Sequence, residues 1–277
     1  MRNIDALSGY DMTILRVLSK YLCAEPLVIG EKSSKGRINE DIVYTRHNVP
    51  IVVEKTFENF ILNSIKPLIR ASPGGLYVHI NGKKLKKIRL KRALSFGVVA
   101  RTLGVTRKAV QMYEQGMSTD INIALKLEKF LNESIIVGVY PFSMHRSDND
   151  VAVDFEHIKI TTAYGKFDLF SRILFENLNK KLGCEVLPTP SCPFDAVIRN
   201  KNKNNAIITC IAKRANLFIK KAALIQSIST VIERKCVLFS EEPGNENIRS
   251  IPVIALKELE KLASSDELAE LLSERSN

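Results

Sequence analysis

The sequence predicts an α/β chain of several domains, with an all-α helix-turn-helix module at its centre and an α/β unit on either side. Three observations predict it. The stretch Ser95 to Gly116, SFGVVARTLGVTRKAVQMYEQG, reads as a helix, a tight turn and a second helix with a basic start. Before and after it, short apolar runs bounded by turn residues alternate with helical patterns, as strands and helices do in α/β folds. The length of 277 residues exceeds what one small core needs and suits two or three domains. The segments expected are 1–66, 67–140 and 141–277.

In the first segment Ile14, Leu15, Leu18 and Leu22 recur at helical spacing after Asp11, a capping residue. Leu27 to Ile29, Ile42 to Tyr44 and Pro50 to Val53 are strand candidates, separated by a polar, Gly-bearing loop over Lys32 to Asn39. Phe57, Phe60 and Ile61 give a closing helix its apolar face.

The last segment is longer. Phe167 to Leu182 is an amphipathic helix ended by Gly183. Cys184 to Pro188, Phe194 to Arg199 and Ala206 to Ile211 read as strands, with NKNKNN at 200–205 as a turn. A long helix over Asn216 to Arg234 follows, then two more strands, a helix at Leu256 to Leu262, and a last helix capped by Ser265. The acidic stretch 141–165 reads as a linker with a hairpin. The two outer segments share a pattern: Leu27 to Glu31 aligns with Val237 to Glu241, Val49 to Val52 with Ile251 to Ile254, and Phe57 and Phe60 with Leu259 and Leu262.

The centre is legible residue by residue. Leu85 and Ile88 face inward on a first helix over Lys84 to Leu94. Ser95 caps the second helix, whose Val99, Ala100 and Leu103 face the core. Gly104 makes the turn, Val105 closes the core behind it, and Thr106 caps the third helix. Val110 and Tyr113 anchor that helix, leaving Arg107, Lys108, Gln111 and Met112 outward, and Gly116 ends it. Ile121 to Leu131 supplies a packing helix.

Charge coincides with this module. The chain carries a net charge of +11, and no Asp or Glu occurs from Asn59 to Tyr113. That run holds Lys66, Arg70, Lys83, Lys84, Lys86, Lys87, Arg89, Lys91, Arg92, Arg101, Arg107 and Lys108. Local basicity of this kind suits phosphate neutralisation. Five scattered cysteines without ligand spacing read as buried free thiols rather than a zinc site. No apolar run is long enough for a membrane span, and the N-terminus lacks signal-peptide features. A cytoplasmic, nucleoid-associated protein without cofactor is expected.

From Lys84 to Leu131 the chain resembles the Cro/repressor class of helix-turn-helix domains, through Ala100, Gly104, Val105, Thr106, Val110, Tyr113, Glu114 and Gly116. With IVYTRHNVPIV at 42–52 and CPFDAVIR at 192–199, the whole arrangement resembles an archaeal family of helix-turn-helix transcriptional regulators. The resemblance implies a sequence-specific regulator that binds double-stranded DNA as a homodimer. Helix 107–115 would read the major groove, and the α/β units would meet a protein partner or an effector. It places Arg107, Lys108, Gln111 and Met112 at base edges and Thr106, Arg101, Ser95, Phe96, Lys84 and Lys87 in the wider DNA surface. Phe96 stands where the class often has a polar residue. Arg89 and Glu114 match a salt bridge between the first and third helices.

One motif bears on enzymatic activity. Restriction-endonuclease-like folds use an Asp on one strand and, on the next, an acidic residue two positions before a lysine, to bind magnesium and activate water. Asp195 and Lys213 fit that spacing, but Ile211 takes the second carboxylate's place. The C-terminal unit resembles that fold in a degenerate form. No enzyme is expected, and a nuclease-like enzyme targeted by the helix-turn-helix is the alternative.

Overall fold

The computed structural model describes residues 3–142, 167–190, 192–200, 206–212 and 215–276. The expected linker and the turn after Asn200 lie almost wholly outside them. The chain forms two compact units, residues 1–12 with 25–150, and residues 13–24 with 151–277.

The first unit is built on one sheet. Its strands are β1 (Val28–Ile29), β4 (Ile42–Arg46), β5 (Val49–Val52), β6 (Ile69–Ser72), β7 (Gly75–Ile80), β8 (Thr119–Asp120) and β9 (Ile136–Val137). They run in the order β1-β5-β4-β6-β7-β8, with β9 also paired to β7. Strands of segment 1–66 and segment 67–140 thus lie in a single sheet. The stretch read as a loop at 32–39 holds a small hairpin of β2 (Lys32–Ser33) and β3 (Gly36–Arg37), turned at Ser34 and Lys35 and re-entered by Gly36 at φ 121. Helix α2 (Glu54–Asn63) follows β5 and ends at Ser64 in the left-handed region. Phe60 of α2 stacks edge-on with Tyr140 and Phe142, each pair 5.4 Å between centroids, which ties residues 140–142 to the helix.

The second unit contains α7 (Leu169–Glu176), a π turn (Asn177–Lys181), β10 (Cys184–Pro188), β11 (Ala196–Asn200), β12 (Ala206–Ala212), α8 (Ala215–Ile232), β13 (Cys236–Ser240), β14 (Asn247–Ile248), β15 (Ile251–Ala255), α9 (Leu256–Leu259) and α10 (Ser265–Arg275). Strands β10, β11 and β12 are antiparallel neighbours, and β12, β13 and β15 are parallel. One face packs Val186, Ile198, Phe239 and Ile254 against Phe170, Leu174, Leu268 and Leu272. The alternating residues Leu187, Val197, Ile208 and Leu238 are buried as well, so the sheet is covered on both faces. Residues 13–24, most of helix α1 (Gly9–Leu22), belong to this unit. The Tyr21 hydroxyl donates to Glu185 at 2.9 Å, and the Arg199 guanidinium lies 4.4 Å from the Tyr21 ring centroid. Burial pushes the Tyr21 hydroxyl above its usual range, and the Glu185 carboxylate adds to that.

The shared pattern recurs in the backbone. Val28 pairs with Ile51 and Ile29 with Val52; their aligned residues pair alike, Leu238 with Val253 and Phe239 with Ile254. Arg46 pairs with Val49 and Ile248 with Ile251, each pair closing a two-residue hairpin. Both central residues have positive φ in each turn, 48 and 61 at His47 and Asn48, 55 and 62 at Arg249 and Ser250. That is the mirror-image turn matching strand twist. Five residues before each first pair, the preceding helix has given way to a left-handed residue, Cys23 at φ 52 and Glu233 at φ 53. The same half of an α/β unit therefore occurs twice.

Burial pushes the Cys184 and Cys210 thiols up, to about 11 and about 12, and raises Cys192 and Cys236 too. Cys23 departs from the buried expectation and is exposed, because it sits in the left-handed residue that ends α1. Among the described residues, no helix is long and apolar enough to cross a membrane.

Candidate nucleic-acid interface

Strand β7 runs straight into helix α3 (Gly82–Lys91) through one residue, Asn81. Its N–H donates to the Ile135 carbonyl at 2.8 Å and its Oδ1 accepts from Lys84 N at 3.0 Å. The helix therefore starts two residues earlier than the sequence suggests. Asn81 caps it, and Gly82 can pack tightly there. Helix α4 (Phe96–Leu103) starts at Ser95, whose Oγ accepts from Val98 N at 3.2 Å, and ends at Gly104, φ 73. Helix α5 (Arg107–Glu114) starts at Thr106, whose Oγ1 accepts from Ala109 N at 3.1 Å. Each hydroxyl satisfies an otherwise orphan amide of the first turn. Helix α6 (Ile121–Leu131) is capped by Asp120 of β8, and Glu128 Oε1 accepts from Ile135 N at 2.6 Å and Ile136 N at 2.9 Å, leading the chain into β9. The bundle is thus fastened to the sheet before α3, before α6 and after α6.

Leu85, Ile88, Val99, Ala100, Leu103, Val110, Tyr113, Leu127 and Leu131 form the core expected from the sequence, joined by Ile80 of β7 and Ile135. Arg89 and Glu114 pair across it. The side chains are 9% and 7% exposed, with Arg89 Nη2 donating to Glu114 Oε2 at 3.1 Å and Nη1 to the Leu94 carbonyl at 3.1 Å. Hydrogen bonding to Glu114 raises the proton affinity of Arg89 further.

Burial of these anchors decides which side chains point outward. Arg107, Lys108, Gln111 and Met112 are all exposed on the first two turns of α5, and that first turn holds no acid. A Cβ at Gly97 would lie 3.3 Å from Arg107 Nε, so the guanidinium runs along the start of α4. Ser95, Arg101, Thr106 and Lys87 are exposed too. Two residues have other engagements. Phe96 is half-buried against the core, with the Arg89 guanidinium 3.9 Å from its ring centroid. Lys84 Nζ donates to the Ser134 carbonyl at 2.7 Å and pairs with Glu133 at 3.3 Å. Sequence spacing could not show the Lys84 interactions, because its partners lie about fifty positions away in an irregular turn.

In the second unit, Asp195 Oδ2 accepts from Ile211 N at 2.7 Å and from Lys221 Nζ of α8 at 2.6 Å. Lys221 Nζ also donates to the Ile211 carbonyl at 2.8 Å. The ammonium thus sits between the carboxylate and the strand that would carry a second acid. Lys213 lies outside the described residues. Among those residues no three of His, Cys, Asp or Glu converge as metal ligands.

Comparison with known proteins agrees with the helix-turn-helix, but it places a nuclease-like match at the N-terminus rather than in the C-terminal unit where the sequence suggested one. Residues 85–137 match a helix-turn-helix family model, and residues 1–67 match one for a PD-(D/E)XK superfamily domain. The latter spans the first copy of the repeated half-unit. A relative in Thermoplasma acidophilum is 31% identical over 276 residues, covering 99% of this chain and 83% of its own. Relatives in Natronomonas pharaonis, 31% identical with coverage of 99% and 84%, and in Methanococcoides burtonii, 32% identical with 99% and 83%, are similar. No solved structure matches the chain. All three relatives bear the name "Putative HTH-type transcriptional regulatory protein". With a helix-turn-helix bundle in place and identity at that level along nearly its whole length, the chain belongs to this archaeal family of HTH-type transcriptional regulatory proteins.

Proposed function

We propose that the protein is a sequence-specific, double-stranded DNA-binding regulator that reads the major groove with α5 and acts as a dimer on two half-sites. One observation carries this reading: Arg107, Lys108, Gln111 and Met112 are all exposed on a helix whose opposite face is locked by Val110 and Tyr113. Arg and Lys suit the paired acceptors of guanine, Gln suits adenine, and Met112 offers an apolar surface for a thymine methyl. Arg101 and Lys87 bind phosphates, and the α4 start at Ser95 presents backbone amides to a phosphate. A dimer of such heads meets half-sites about one helical turn apart.

Arg107→Ala is expected to lower discrimination between a selected duplex and a random one by about 1–3 kcal/mol for each base that the guanidinium recognises. Arg101→Ala should weaken both by similar factors. The duplex for this titration comes from selection out of a random pool. Unchanged specific affinity in Arg107→Ala would show that another face reads the bases.

The PD-(D/E)XK match favours a second reading, a nuclease. That match lies at residues 1–67, mostly in the first unit, whereas Asp195 of the second unit does not fit a divalent metal, because Ile211 supplies no carboxylate and Lys221 already neutralises Asp195. We therefore read the second unit as a restriction-endonuclease-like core without catalysis. Supercoiled plasmid incubated with magnesium or manganese should stay intact; cleavage would restore the nuclease, in the second unit if Asp195→Ala abolishes it and in the first unit if it does not.

A further inference from the structure

The first unit's sheet has a second face with no role so far. Arg70 on β6 stands opposite Tyr77 on β7, and alternation puts Tyr77 and His79 on the face turned away from buried Val78 and Ile80. A cleft of about 620 Å³ opens there, within the size range of small-molecule sites. Met117 and Ser118, which closely follow α5, supply part of its wall, and exposed Tyr140 supplies another. Among the described residues, no carboxylate lines it. Arg70 is half-buried there, and loss of water lowers its proton affinity. Two tyrosine rings supply flat apolar surface.

The cleft is also joined to the reading helix. After α5 the chain turns at Gly116, φ 92, where a Cβ would lie 3.9 Å from the His79 ring, and passes on to Met117 and Ser118. A molecule seated against these two residues touches the backbone three and four positions beyond Glu114.

We propose that this cleft binds a small aromatic anion, a planar ring bearing a phosphate or carboxylate, and that its occupancy changes the affinity of α5 for DNA. Arg70 and His79 hold the anionic group and Tyr77 and Tyr140 hold the ring. A ligand shifts α5 only as far as it binds two arrangements of Met117 and Ser118 unequally, and the coupling is reciprocal.

Calorimetric titration of the full chain with phenyl phosphate, without DNA, tests the binding. Phosphate alone and phenol alone are the controls. Phenyl phosphate should bind roughly tenfold more tightly than either half, since both parts of the cleft contribute. His79→Ala, at an exposed position, and Arg70→Met should each weaken it at least severalfold with the fold retained by circular dichroism. Absence of binding, or binding indifferent to His79→Ala, overturns the site. The coupling rests on the DNA reading above, so it is measured separately: saturating phenyl phosphate should change duplex affinity by about fivefold or more. No change overturns the coupling alone. Outright exclusion of the probe by duplex would make the cleft part of the nucleic-acid surface and overturn its role as an effector site.

Discussion

Glu114→Ala should destabilise the first unit by about 3–5 kcal/mol, the usual cost of removing one partner of a buried ion pair. The Arg89 guanidinium would remain, 9% exposed, with only the Leu94 carbonyl and the Phe96 face for company. It cannot shed its proton, so the cost of burying the charge is met in full or the side chain leaves and opens the core. Urea unfolding followed by circular dichroism reads the effect. Added salt should change it little, because the pair is screened from solvent. Arg89→Met combined with Glu114→Leu should recover most of the stability, since an apolar pair of similar volume leaves no orphan charge. A destabilisation below about 1 kcal/mol in Glu114→Ala would place the pair among solvated surface bridges.

Gly82→Ala should destabilise as well, against the sign that helix propensity gives. Alanine normally gains about 1 kcal/mol over glycine inside a helix. Here a Cβ would meet the Glu114 carbonyl oxygen at 2.3 Å and the Tyr113 carbonyl oxygen at 2.6 Å. Both are backbone atoms, so α3 and α5 must move apart, at the cost of about 1–3 kcal/mol that overpacking carries. The displacement falls on α5, so specific duplex affinity should drop more than stability alone explains. Gly97→Ala is the control. Its nearest obstacle is the movable end of Arg107, so the fold should hold while base discrimination changes. A Gly82→Ala protein as stable as the parent would mean that α3 and α5 have room that their packing denies.

Much of the reading head is legible because it obeys local rules. Ser95, Gly104, Thr106 and Gly116 are cap and turn signals that act within four residues, and the inward set from Leu85 to Leu131 follows one helical period. The repeat is legible for a related reason: matched apolar runs around matched turns leave a pattern in the sequence even though few residues are identical. Strands β6 to β9 are harder to read because β8 and β9 are two residues long, too short for any period, and exist through pairing with β7. The Asp195–Lys221 bridge is equally hidden in the sequence, since its lysine comes from a helix twenty-six positions on rather than from the neighbouring strand.

The single residue between β7 and α3 has a mechanical consequence. Asn81 gives the head no swivel, and the fastenings on either side of α6 remove the remaining slack. A tethered reader tolerates sites at many spacings; a welded one does not. On the dimer reading proposed above, inserting one base pair between paired sites rotates one of them by about 34° around the duplex axis, and the one-residue junction at Asn81 gives the head no slack to follow it.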